Sequence, residues 1–188
     1  MPPILRSSCL SRHDYSLTKQ HGACAIRSIH DSESHTMVLK LHSVARWCYL
    51  HHVPAVPRLI KAIHYVFFNC LLSAECSIGQ GTRLWHHGWC IAIHPDTEIG
   101  RDCNIYNQVE IAGGHDGPGG PPIHIVIGDR VNICTGAKVL CKSGTLTIGE
   151  GSTVGANAVV LSDVPPNSLA VGIPARCIPK KRLAGANR

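Results

Sequence analysis

Apolar positions change their spacing twice along this chain. Residues 1–36 mix Ser, His and Arg with scattered aliphatics and keep no clean period. An extension with little order of its own is expected there. From about residue 40 the spacing is helical, with Leu41, Val44, Ala45, Cys48 and Tyr49 at i, i+3 and i+4 offsets. Met37 opens this patterned part and stands as an alternative native start. Val53-Pro54-Ala55-Val56-Pro57 breaks the stripe, because proline lacks a backbone N–H and crowds the preceding turn. Leu59, Ile60, Ile63, Val66, Phe67 and Leu71 then line a second helical face that runs to Leu72. A short helical segment is therefore expected over 37–72. Its apolar end, Tyr65 to Leu72, is too short to cross a bilayer. It is read as packing on the next domain, with shallow membrane-surface association as the alternative.

From Ile78 the period becomes six. Ile78 and Leu84 begin it, and Ile93, Ile99, Ile105 and Ile111 continue it. After a break come Ile127, Ile133 and Val139, then Ile148, Val154 and Val160. The residue four further on is small or β-branched, as at Thr82, Thr97, Cys103, Val109, Val131, Ala137, Ser152, Ala158 and Val164. Glycine follows the aliphatic at 79, 100, 128, 149 and 155. Neither a helix, with period 3.6, nor a plain strand, with period 2, gives six. A hexad fits one short strand and one bend. Three hexads close a triangular coil of about 18 residues, and each aliphatic then points inward onto its counterpart one coil away. The prediction is a mainly β solenoid over 73–175, with residues 176–188 as a basic tail.

Composition agrees with that picture. The 188 residues suffice for one domain and a short appendage, and aromatics are only 5%, so Ile, Val, Leu and Ala must fill the core. Charged residues at 16% against 44% hydrophobics exclude a disordered chain, and no apolar run is long enough for a membrane span. The formal charge of +6 is scattered. Without basic runs interleaved with aromatics, nucleic acid is not an expected partner. One cluster, Arg176, Lys180, Lys181 and Arg182, suits an anionic cofactor better. Ten cysteines include no C-x-x-C pair, and the start has no secretory signal pattern. They are read as small buried hydrophobes of a reducing, cytoplasmic protein.

Two places break the hexad and carry polar side chains. Trp85-His86-His87-Gly88 lies in a nine-residue step between Leu84 and Ile93. The loop 113–124 is rich in glycine and proline and ends at His124. Irregular stretches on a rigid coil are where sites are commonly placed, and histidine titrates near working pH, as a general base must.

The hexads resemble the left-handed parallel β-helix of hexapeptide-repeat acyltransferases. The segment Ile78 to Pro179 resembles, more closely, the catalytic part of bacterial serine O-acetyltransferases. The matching runs are Ile105-Tyr106-Asn107-Gln108-Val109, Ile111-Ala112-Gly113-Gly114, Ile148-Gly149-Glu150-Gly151 and Val154-Gly155-Ala156-Asn157-Ala158-Val159-Val160. The closing runs, Asp163-Val164-Pro165-Pro166-Asn167-Ser168 and Val171-Gly172-Ile173-Pro174-Ala175-Arg176, are the most specific. The long helical N-terminal domain of typical members is replaced here by the short helical segment.

That resemblance implies acetyl transfer from acetyl-CoA to a hydroxyl, with serine as acceptor in cysteine biosynthesis. His86 matches the family's catalytic histidine, and His124 the second, substrate-contacting one. Gly113, Gly114, Ala137, Gly155 and Ala156 would wall a slot for the coenzyme A arm. Arg176, Lys180 and Lys181 would meet its phosphates. No metal is expected. The resemblance further implies a homotrimer with sites between neighbouring coils, and a sulfhydrylase partner. The chain departs from the family pattern at two positions: Trp85 replaces an aspartate before His86, and Ile123 an arginine before His124. The carboxylate that normally orients the base falls near Leu71 or Leu72, leaving Asp96, Glu98, Glu110 or Asp116 as replacements. A sugar hydroxyl of exopolysaccharide assembly is therefore an alternative acceptor. A third reading, a metal-dependent hydratase, would draw on His86, His87, His94, His115 and His124.

Overall fold

The structure, a computed structural model, describes residues 37–53, 55–113 and 122–181. Expectations for residues 1–36, Gly114, His115, Asp116 and Arg182 lie outside the described residues.

Two helices come first, α1 over 37–50 and α2 over Ala55–Phe68. They pack through Leu41 and Ala45 of α1 and Val56 and Ile60 of α2, with Ala74 closing the cluster. The hairpin is pinned to the rest of the chain by polar contacts that satisfy turn carbonyls. His42 Nε2 lies 3.1 Å from the Ser73 carbonyl oxygen, and the Arg46 guanidinium donates to the carbonyls of Glu75 at 2.7 Å and Cys76 at 3.1 Å. The second helix ends four residues before Leu72, where its apolar face suggested. Asn69 takes a left-handed conformation (φ 48°), and the Cys70 N–H reaches back to the His64 carbonyl, which closes the last turn. Leu71 and Leu72 are already a strand.

Among the described residues fifteen strands, numbered in chain order, form three sheets. Sheet A holds β1 (Leu71–Leu72), β4 (Ala92–Ile93), β7 (Glu110–Gly113), β10 (Lys138–Cys141) and β13 (Val159–Val160). Sheet B holds β2 (Ser77–Ile78), β5 (Thr97–Ile99), β8 (Ile123–Ile127) and β11 (Gly144–Ile148). Sheet C holds β3 (Arg83–Leu84), β6 (Asn104–Ile105), β9 (Asn132–Ile133), β12 (Thr153–Val154), β14 (Ser168–Val171) and β15 (Arg176–Pro179). Apart from β15, each strand pairs in parallel with the strand one coil away, so the chain visits the three sheets in turn as it winds. The aliphatics stack in register. Leu72, Ile93, Ile111, Val139 and Val160 form one inner column, Ile78, Ile99, Ile127 and Ile148 a second, and Leu84, Ile105, Ile133 and Val154 a third. All but Ile78 are buried.

The small residues of the hexad sit inside the corners, where Cys103, Val109, Val131 and Ala137 are fully buried. The recurrent glycine has an equally direct cause. At the corner from sheet B to sheet C a Cβ on Gly79 would lie 2.5 Å from the Gly100 backbone, and one on Gly100 would lie 2.7 Å from the Gly128 backbone. The coils approach there more closely than any side chain permits.

The coil from Ile93 to Ile111 has the unperturbed 18 residues. The other coils are longer, 21 residues from Leu72 to Ile93, 28 from Ile111 to Val139 and 21 from Val139 to Val160. The extra residues form three insertions at corners, one insertion where sheet C passes to sheet A and two where sheet A passes to sheet B. At the far end β15 turns back antiparallel on β14. Residues 176–179, expected as the start of a tail, thus form an edge strand, because Ile178 pairs across from Leu169 and continues the sheet.

Candidate active site

The corner from sheet C to sheet A carries the first broken hexad. After β3 the chain enters a one-turn 3-10 segment, His86–Gly88. His86 (φ 53°), His87 (φ 60°) and Gly88 (φ 67°) are all left-handed. Two histidines there cost about 1–2 kcal/mol each, and such strain is commonly held at functional sites. Backbone bonds clamp the turn: the Gly88 N–H donates to Trp85 and the Trp89 N–H to His86. Gly88 is buried over Cys70 and Leu84, which forces His86 outward into solvent. Among the described residues no carboxylate reaches the His86 ring.

Trp85 lies beside it. Its ring stacks on Tyr106 of the next coil, centroids 5.5 Å apart and planes within 6°. Its Nε1 donates to Asn104 Oδ1 at 3.0 Å, and Asn104 Nδ2 donates to Asn132 Oδ1 at 2.9 Å. Further along the same corner Thr135 donates to Asn107 at 3.0 Å, and Gly155 and exposed Ala156 follow. His86 and Ala156 are three coils apart, about 14 Å at the usual strand spacing.

The second broken hexad lies at the other edge of sheet A. His124, at the start of β8, directs Nδ1 at Asp96 Oδ1, 3.0 Å away, and Nε2 stands 3.9 Å from Glu98 Oε1. A carboxylate accepts, so His124 donates from Nδ1 to Asp96. Thr97 pairs with Ile125, so register alone places Asp96 beside His124. Near this edge a cleft of about 270 Å³ opens on sheet A. Lys61 of α2, Ala92, His94, Ala112 and Gly113 line it.

The expected residues are therefore distributed over distinct places. His86, Gly155 and Ala156 share one corner, while His124 and Gly113 lie towards the other. Ala137 is fully buried, its N–H bonded to Cys134 and its carbonyl to Glu110, so its own groups are closed to a ligand. Lys180 donates from Nζ to the Gly151 carbonyl at 2.7 Å, at the corner from sheet B to sheet C. Arg176 and Lys181 are exposed near that end. Asp96 and Glu98, considered as partners of His86, face His124 instead, and Glu110 pairs with Lys138 at 2.9 Å. Tyr106 and Lys61 were not singled out from the sequence. The sequence does not state which coil lies beside His124 across the long loop, so its contact with Asp96 comes from the structure alone. Among the described residues no three His, Cys, Asp or Glu side chains converge as a metal site. Burial pushes the Cys70 and Cys76 thiols up to about 12, which makes them inert packing groups.

No family model matches the sequence. Serine acetyltransferases do. That of Synechococcus elongatus is 34% identical over 140 residues, 74% of this chain and 55% of the relative. That of Mycobacterium tuberculosis is 36% identical over 140 residues, 73% of this chain and 57% of the relative. The chain spans little more than half the length of these curated relatives. Among solved structures, the serine acetyltransferase of Neisseria gonorrhoeae matches with TM-score 0.69 at 26% identity, over 77% of this chain and 55% of that one. The soybean enzyme complexed with serine matches with TM-score 0.66 at 32% identity, over 75% and 56%. The Brucella abortus enzyme in complex with coenzyme A gives 0.70 at 25%, over 78% and 56%.

The three-sheet coil with its corner histidines is thus a left-handed parallel β-helix of the hexapeptide-repeat acyltransferase class. Within that class the chain is similar to serine acetyltransferases over about three quarters of its own length.

Proposed function

We propose that this chain transfers the acetyl group of acetyl-CoA to the hydroxyl of serine, in the cytoplasm, as a step of cysteine biosynthesis. The observation that carries the reading is His86, held outward on a left-handed turn beside a corner whose later coils offer Gly155 and Ala156 to an extended thioester. Its neutral imidazole takes the acceptor's hydroxyl proton. The oxygen attacks the acetyl carbonyl, the carbon–sulfur bond breaks, and the imidazolium returns the proton to the departing coenzyme A sulfur.

His124 and His86 stand at the two edges that bound sheet A. The reading therefore takes the protein as a homotrimer in which His86 of one copy meets His124 of the next. Asp96 fixes the His124 ring, and Glu98 adds a carboxylate suited to the ammonium group of serine. Capture by a sulfhydrylase belongs to the same reading, tested by co-purification with that enzyme. Trp85 stacked on Tyr106 favours a second acceptor, a sugar hydroxyl whose ring face lies against the aromatic pair.

Thiol release from acetyl-CoA against serine, homoserine and a panel of sugars tests both. Acceptor-dependent release with serine supports the first reading, and release with a sugar alone supports the second. No acceptor-dependent release at all contradicts both.

A further inference from the structure

Of the fourteen large hydrophobic side chains exposed among the described residues, eleven lie in residues 37–71. Among the described residues the much longer β-helix exposes, besides Leu71 in its first strand, Trp89, Leu161 and Ile173. On α1, Val38, His42, Ala45 and Cys48 turn inward, while Val44, Trp47 and Leu50 turn out, Trp47 being 59% exposed. On α2, Ile60 and His64 turn inward, while Leu59 and Val66 turn out, 62% and 73% exposed, with Tyr65 beside them. A surface helix of a soluble domain carries polar residues on that side.

Charge narrows the choice of what covers these faces. Residues 37–68 contain Lys40, Arg46, Arg58 and Lys61 and no Asp or Glu. Arg46 is engaged with carbonyls and Lys61 approaches Ser73 Oγ at 3.5 Å. Lys40 and Arg58 are exposed on the same outward sides as the apolar residues. The cores of protein–protein contacts are depleted in lysine. Helices that lie in the plane of a bilayer combine apolar and aromatic residues with cations in this way.

We infer that the helical hairpin is a docking face for an anionic lipid surface. Trp47, Leu50, Leu59 and Val66 enter the headgroup boundary, and Lys40 and Arg58 meet lipid phosphates. No crossing of the bilayer is required, and among the described residues no helix is long and apolar enough for one. The β-helix would thereby be held beside the membrane.

The test is co-sedimentation of the full chain with vesicles of phosphatidylcholine alone and of phosphatidylcholine mixed with phosphatidylglycerol. Binding to the mixed vesicles is expected to be at least about tenfold tighter, and to weaken with salt. Lys40→Glu with Arg58→Glu should cost about fivefold per residue. Trp47→Ser with Leu59→Ser and Val66→Ser should abolish binding, with acetyl transfer to a soluble acceptor unchanged as the control for folding. Absence of sedimentation with either vesicle overturns the inference. So does a larger assembly of the wild-type chain that the triple variant loses, since the face would then join copies of the protein.

Discussion

His86 and His124 are alike as residue types and differ in what surrounds them. The first is held only by its backbone, on a strained turn, and meets no carboxylate among the described residues. The second is held by its ring, against Asp96. His86→Ala is expected to lower turnover by about 10²–10⁴, the usual worth of a general base, with the fold intact by circular dichroism. Asp96→Asn is expected to raise the acceptor KM about tenfold and to leave the acetyl-CoA KM unchanged, because in the proposed reading it loosens the ring assigned to the acceptor and not to the thioester. An equal rise in both KM values would place Asp96 elsewhere in the site. Both histidines were legible in the sequence, since each interrupts a strict period. The partner of His124 was not, because it depends on which coil lies beside which across an insertion of unstated shape. Only the register of Thr97 with Ile125 supplies that.

The elements form for reasons that differ in how local they are. Hexads announce their own strands, because each aliphatic repeats a requirement met six residues earlier. The glycines at 79, 100 and 128 record how closely the coils approach. Gly128→Ala would set a Cβ 2.8 Å from the Glu150 nitrogen and is expected to destabilise the coil by about 1–3 kcal/mol, read from thermal unfolding. The end of α2 was less legible. Its apolar stripe runs on through Leu72, and only the left-handed Asn69 separates helix from strand.

The joint between the hairpin and the β-helix carries a titration. Burial, with smaller contributions from His64 and Arg46, holds His42 down at about 4. A histidine that resists protonation when folded contributes stability that is complete above its ordinary value of about 6.5. That contribution is lost as pH falls from there to about 4, and amounts to about 3 kcal/mol. The unfolding temperature should therefore drop across that window, and His42→Asn should flatten the dependence. An unchanged slope in that variant would assign the acid sensitivity to other groups.

On the scale of the whole molecule the β-helix is a rigid ruler that separates its chemistry. Stacked columns of Ile, Leu and Val leave no room for the two histidines to approach through the core. The hexads made the β-helix itself legible. The placement of His86 and His124 at its two edges was not, because a sequence does not state which corner an insertion lands on. Likeness to serine acetyltransferases motivates the proposed acetyl transfer, while the placement of these corners motivates the proposed shared site.

Subunit complementation tests that case most directly. His86→Ala and His124→Ala chains are each expected to be nearly inactive alone. Co-expressed in equal amounts and assembled at random into a ring, they should recover about one quarter of wild-type activity, the share of contacts that unite an intact His86 with an intact His124. Mixed assemblies that stay as inactive as their parents would contradict a site built from two copies.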